Sequence, residues 1–145
     1  MVESVSEQIM LALFAQVEPV LPFGVKFERN ATLPQRVPEV GWVCLRDGDP
    51  GPPEVTLSPL VYFYEHDVEF DLVVDLPEDQ RDAAFDALKQ ALGLALADDR
   101  TLGGLCDWLE ASAPQPVDIP IEGGNSLKAA TVTVTVHYAT SDPLA

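Results

Sequence analysis

Residues 65–77 read E-H-D-V-E-F-D-L-V-V-D-L-P. Glu65, Asp67, Glu69 and Asp71 take alternate positions, and His66, Val68, Phe70, Leu72 and Val74 fall between them. A β-strand points successive side chains to opposite faces, so the stretch reads as one strand, acidic on one side and apolar on the other. The apolar row needs a core. The acidic row needs water, because an unpaired buried carboxylate costs several kcal/mol or more. Same-face neighbours sit about 7 Å apart, so each carboxylate pair repels by roughly 0.6 kcal/mol in water, which is tolerable only there. Carboxylates are natural ligands of hard cations, but ligands must converge on one point and a strand spreads them along a line. No D-x-D-x-D-G loop is present, so no metal site is expected.

The next stretch has a different period. In residues 77–97, P-E-D-Q-R-D-A-A-F-D-A-L-K-Q-A-L-G-L-A-L-A, apolar residues recur at Ala84/Phe85, Leu88, Ala91/Leu92 and Ala95/Leu96, the spacing of one helical face. Pro77 suits a first turn, Glu78, Asp79 and Asp82 suit the positive end of the helix dipole, and Lys89 can pair with Asp86. The helix should end near Asp98 and Asp99, where R-T-L-G-G-L turns the chain.

Upstream, Ser4 and Glu7 have capping-box spacing before Ile9, Leu13 and Val17, which predicts a helix over residues 4–17 stopped by Pro19 and Pro22. Residues 25–29, V-K-F-E-R, form a short strand. Residues 39–46, E-V-G-W-V-C-L-R, are apolar on both faces and predict a strand that is central or covered by a partner chain. Residues 47–59, D-G-D-P-G-P-P-E-V-T-L-S-P, show no period and read as a loop: a mobile hairpin tip, or a segment ordered by a docking partner. Residues 60–64, L-V-Y-F-Y, lead into the opening strand, their aromatics read as core or edge packing. Downstream, residues 106–111 read as a short helical piece carrying Trp108. Residues 115–122 alternate Val117, Ile119 and Ile121, and Pro116 and Pro120 confine them to a sheet edge. After the turn signal at residues 123–126, residues 128–140 put Val132, Val134, Val136 and Tyr138 on one face. Thr131, Thr133, Thr135 and His137 fall on the other, and the two runs read as a hairpin. Residues 141–145 form a tail.

The order α-β-β-(loop)-β-α-β-β predicts one α+β domain over residues 1–145. Its sheet is mostly antiparallel, with four to five strands and two main helices on one face. The length suits one domain with a sizeable core. Acids outnumber bases 24 to 8, for a formal charge of −16, and such a surface repels phosphate, which argues against groove binding of nucleic acid and against anionic membranes. No apolar run reaches transmembrane length. The first seventeen residues lack a basic start and carry Glu3 and Glu7, unlike a signal peptide, so a cytoplasmic site of synthesis and residence is expected. The two cysteines, Cys44 and Cys106, are read as free packing thiols.

The strand with alternating acids, the long helix and the following D-D-R-T-L-G-G-L resemble the tail terminator, or tail-completion, proteins of long-tailed bacteriophages and gene transfer agents. Those families show an Asp-x-x-Leu-Gly-Gly-like turn after the second helix, here Asp99 with Leu102, Gly103 and Gly104. The element order agrees from the first helix to the last strand. The resemblance implies a structural virion protein, neither an enzyme nor a cofactor carrier. It would form a hexameric ring on the tail tube, stop tube growth and meet the head–tail connector or stopper. DNA would pass through the lumen only as cargo. Assembly would occur in the host bacterial cytoplasm, and the final place would be the head–tail junction. On this reading Glu65, Asp67, Glu69 and Asp71 line or flank the bore. Trp42, Asp49, Glu54, Asp99, Thr101, Leu102, Gly103 and Gly104 are candidates for subunit or partner contacts.

Catalytic signatures are sparse. There is no G-x-S-x-G, P-loop, H-E-x-x-H or G-x-G-x-x-G. His66 falls on the apolar side of its strand and reads as a hydrogen-bonded core histidine, and His137 falls on the threonine face. Three alternatives stand beside the resemblance. One is another neck component, a connector or stopper. A second, from a different class, is a small acidic acyl-transfer enzyme using Cys44 or Cys106, which requires a reactive thiol. The third is a regulatory module that binds a basic partner through its acidic face.

Overall fold

The computed structural model describes residues 2–117 and 127–145. In chain order the elements are α1 (Val5–Val17), a 3-10 turn (Glu18–Val20), β1 (Lys26–Arg29), β2 (Trp42–Asp49), β3 (Glu54–Leu57) and β4 (Leu60–Asp75). Then come α2 (Glu78–Asp98), β5 (Trp108–Ala111), β6 (Gln115–Val117) and β7 (Leu127–Thr140). The two long strands, β4 and β7, pair antiparallel from Tyr62 opposite Thr140 to Asp75 opposite Leu127. Each carries two short strands on its outer edge. β3 and then β2 lie along β4, and β5 and β6 lie along β7. β1 adds parallel to β2, completing a seven-stranded α+β sheet that is otherwise antiparallel.

Both helices cover one face of this sheet. Ser4 caps α1 by accepting the Glu7 N–H at 3.3 Å, and Ile9, Met10, Leu13 and Val17 turn inward. α2 buries Phe85, Leu88, Ala91, Leu92, Ala95 and Leu96, the residues its period singles out. They meet the even-numbered side chains of β4 and Val132, Val134, Val136 and Tyr138 of β7 in one apolar cluster. Lys89 pairs with Asp86 at 3.0 Å.

Three sequence expectations change. Residues 47–59 are not one loop: residues 47–49 end β2, and β3 folds back on β4 as a hairpin. The alternation in E-V-T-L was hidden by the prolines before it, and the ladder from Val61, Tyr62 and Phe63 supplies the pairing. The leader at residues 60–64 is part of β4 itself. Residues 106–111 hold β5, not helix. Four residues are too few for a period to declare itself, and the free edge of β7 decides, with Leu109 buried and Trp108 and Glu110 turned outward. β3 and β5 bring the strand count to seven, against the four to five expected. β2 is central, as one of the two readings of its apolar faces expects: it lies between β1 and β4, and residues 31–40 fold over its second face. Val37 packs with Trp42, Cys44 and Val73 in a second cluster, so the cover comes from this chain. Ile119, Pro120 and Ile121 of the expected edge strand, and the turn at residues 123–126, lie outside the described residues.

An ion network pins α1 to the sheet. Arg29 donates to both carboxylate oxygens of Glu7, each at 2.8 Å, and to both of Asp47, each at 2.8 Å. Hydrogen bonding from Arg29 is the main cause that holds both carboxyls below their ordinary values, against the opposing effect of burial. A lowered folded-state value means that this stabilisation is complete above the unfolded carboxyl values and is lost as pH falls through the folded ones. The melting temperature should therefore hold from pH 7 to about pH 5 and fall on the acid side of the carboxylate range. Arg29→Met should flatten that acid limb; thermal scans from pH 7 to pH 2.5 check it.

Candidate functional site: the open acidic face of the sheet

The face opposite the helices carries the odd-numbered side chains of β4. Glu65, Asp67 and Glu69 are exposed, and Asp71 is half-buried, as the alternation predicts. Their cross-strand neighbours on β7 are His137, Thr135, Thr133 and Thr131. Thr135 donates to Asp67 at 2.6 Å and Thr131 to Asp71 at 3.0 Å. Asp71 also takes the Arg46 Nε at 2.5 Å, while the same guanidinium reaches the Ala31 carbonyl. Glu65 and His137 stand 4.0 Å apart.

The acidic face extends past the four predicted residues. Asp49 lies opposite Asp67, Glu54 opposite Phe63, and Glu110 opposite Thr135. Glu110 escaped sequence reasoning because its strand was read as helix; the short alternation L-E-A is the only signal that could have placed it. Residues 31–40 cover this face at the Val73 end, where Leu33 and Val37 pack on β2 and β4. Among the described residues, no group of three histidine, cysteine or acidic side chains converges as a metal site would.

The Asp99 turn is built locally. The Asp99 carboxylate accepts from the Thr101 N–H at 3.0 Å, the Thr101 hydroxyl at 2.9 Å and the Gly103 N–H at 2.8 Å. These bonds, the Thr101 N–H foremost, hold its carboxyl below the usual range. Leu102, Gly103 and Gly104 all have positive φ, and Leu102 nevertheless inserts into the core. Two predicted contact residues are therefore corrected. Trp42 is 1 % exposed and Leu102 5 % exposed, both within this chain, so neither offers a side chain at the surface. Asp49, Glu54, Thr101, Gly103 and Gly104 are exposed. Asp99 sits at the foot of the turn.

The remaining reactive side chains are engaged in packing. His66 is 4 % exposed, and its Nε2 lies 2.6 Å from the Asp47 carbonyl, which can only accept, so Nε2 carries the proton and Nδ1 faces the Tyr138 hydroxyl at 3.4 Å. Cys44 and Cys106 are buried and unpaired. The Cys106 thiol is directed at the Arg100 carbonyl, 3.5 Å away. Burial first, and then Asp107 and Asp99, push it up to about 11. At neutral pH such a thiol is ionised to the order of one part in ten thousand. Both cysteines should therefore alkylate at least tenfold more slowly in the native chain than in urea. Rapid modification of either under native conditions, followed by mass spectrometry, would contradict this packing.

No protein-family model matches this chain, and no curated protein matches it either.

Proposed function

We propose that this chain is a structural ring component of the tail-terminator type, which ends a tail tube and lets DNA pass toward or from the head. One observation carries the reading: an acidic strand face, with Glu65, Asp67 and Glu69 exposed, lies open on a chain whose formal charge is −16. Carboxylates repel a polyphosphate at close range and give it nothing to bind. A bore lined this way passes DNA without holding it. The reading also draws on the resemblance in residues 65–104, and the packing roles of both cysteines and His66 are compatible with it.

The function divides between two surfaces: the acidic face toward the lumen, and the exposed loops and strand edges toward neighbouring subunits and the tube. The native mass of the purified chain, measured with and without a tail tube protein, tests this reading. A ring of several copies in at least one condition is expected. A chain that stays monomeric in both contradicts it. In particles, replacing Glu65, Asp67 and Glu69 together by lysine should leave tail length unchanged and cut DNA delivery at least tenfold, because a basic bore grips the phosphate backbone.

A further inference from the structure

The sheet is longer than the core that covers it. From Leu60 to Val73, β4 spans roughly 43 Å at about 3.3 Å per residue. At the Leu60 end the β3–β4 hairpin carries Val55, Leu57 and Leu60 on the face that elsewhere packs under the helices. All three are exposed there, Leu57 to 79 %. The outer edge of β3 also has no strand beside it among the described residues. An apolar face joined to a free strand edge is a surface that monomeric proteins avoid.

A second apolar patch lies at the other end. Phe23 is fully exposed, with Val20 and Val40 exposed nearby. The chain at Gly24 rests against Val40, and Gly41 abuts the Val73 carbonyl, which places this patch at the Val73 end of β4. The same end bears Arg36, next to Val37 of the cluster over Trp42 and Val73. Arg36 is exposed and makes no hydrogen bond or ion pair among the described residues, whereas the other bases of this base-poor chain are engaged.

We propose that the β3–β4 hairpin of one copy docks on the Phe23, Val20 and Val40 patch of the next, with Glu54, on the other face of β3, turned toward Arg36. This rests on the ring reading and assigns its seam. The occupant is a second copy because both halves of the contact are present on one chain, at opposite ends, with Glu54 at one and Arg36 at the other. Pairing hairpin with hairpin would give Glu54 no cation to meet, since residues 47–80 hold no lysine or arginine, and would leave the Phe23 patch uncovered. A head-to-tail contact between different patches is heterologous, and it closes into a ring or continues as a filament. Glu18 and Glu39 border the Phe23 patch, so apolar burial supplies the affinity and the Arg36–Glu54 pair sets the orientation.

The test is association of the full chain in the presence of the tube protein. Leu57→Asp and Phe23→Asp should each weaken multimer formation at least tenfold while the circular dichroism spectrum stays unchanged. Arg36→Glu and Glu54→Arg should each weaken it, and the double exchange should restore it, a recovery that general misfolding does not give. A chain carrying both Leu57→Cys and Phe23→Cys should yield a disulfide-linked ladder of multimers, and each single variant, with no cysteine opposite it across the seam, should give no such cross-link. If Leu57→Asp and Phe23→Asp assemble like the unsubstituted chain, this seam is wrong and the ring reading stands with its contact elsewhere. If the unsubstituted chain never multimerises, the ring reading falls and the seam with it.

Discussion

Trp42→Ala is expected to destabilise the chain by about 4 kcal/mol, roughly 10 °C in melting temperature. Trp42 is among the largest fully buried side chains, and removing it opens a void between β2 and the residues that fold over it. Its indole N–H also donates to Glu28 at 2.9 Å, a bond that holds β1 to β2 on this face. Had Trp42 been a contact between subunits, its loss would reduce assembly and leave the isolated chain nearly as stable. Trp108 is the control. It is half exposed, with the Arg100 guanidinium 5.2 Å above its ring, and Trp108→Ala should cost about 1 kcal/mol or less. Differential scanning calorimetry of the two variants separates the roles; equal losses would contradict the packing described for β2.

Gly48→Ala carries the second large effect, about 3 kcal/mol. Gly48 lies in the register shift between Arg46 and Asp49, with φ of +66°, so that β2 bulges against β4. A Cβ at this position would lie 2.3 Å from the Asp67 carbonyl oxygen, a backbone atom that cannot swing away. The left-handed conformation costs an L-residue about 1–2 kcal/mol, and relieving the overlap costs about as much again. The bulge also aims the Asp47 carbonyl at His66, so the buried imidazole loses its acceptor when the strand shifts. Gly103 has nearly the same φ, +69°, but open space around its missing side chain. Gly103→Ala should cost about 1 kcal/mol, from conformation alone. Chemical denaturation of both variants checks the difference, and a Gly48→Ala chain as stable as Gly103→Ala would show that β2 is not anchored at its bulge.

Some of this architecture is legible in the residues and some is not. Where an element has one wet face and one dry face, its period survives in the sequence. β4 and β7 show it as alternation, and α2 shows it at Phe85, Leu88, Leu92 and Leu96. His66 could be read as a core residue from its parity alone. Short strands are different. β3 and β5 have four residues each and owe their conformation to the ladders of β4 and β7, which are distant contacts with no local signature. The fold of residues 31–40 over Trp42 is likewise non-local: its buried anchor, Val37, stands among prolines and polar residues without periodicity. The acidic row of the candidate site was visible for the same reason as β4. Its extension through Glu110 was not, because that residue joins the face only when β5 pairs with β7.

Cryo-electron microscopy of the chain mixed with a tail tube protein tests the proposed ring directly. A ring in which Glu65, Asp67 and Glu69 face the lumen and α1 and α2 face outward is expected. A ring with those three carboxylates on its outer rim, or turned into the seam between subunits, would contradict it.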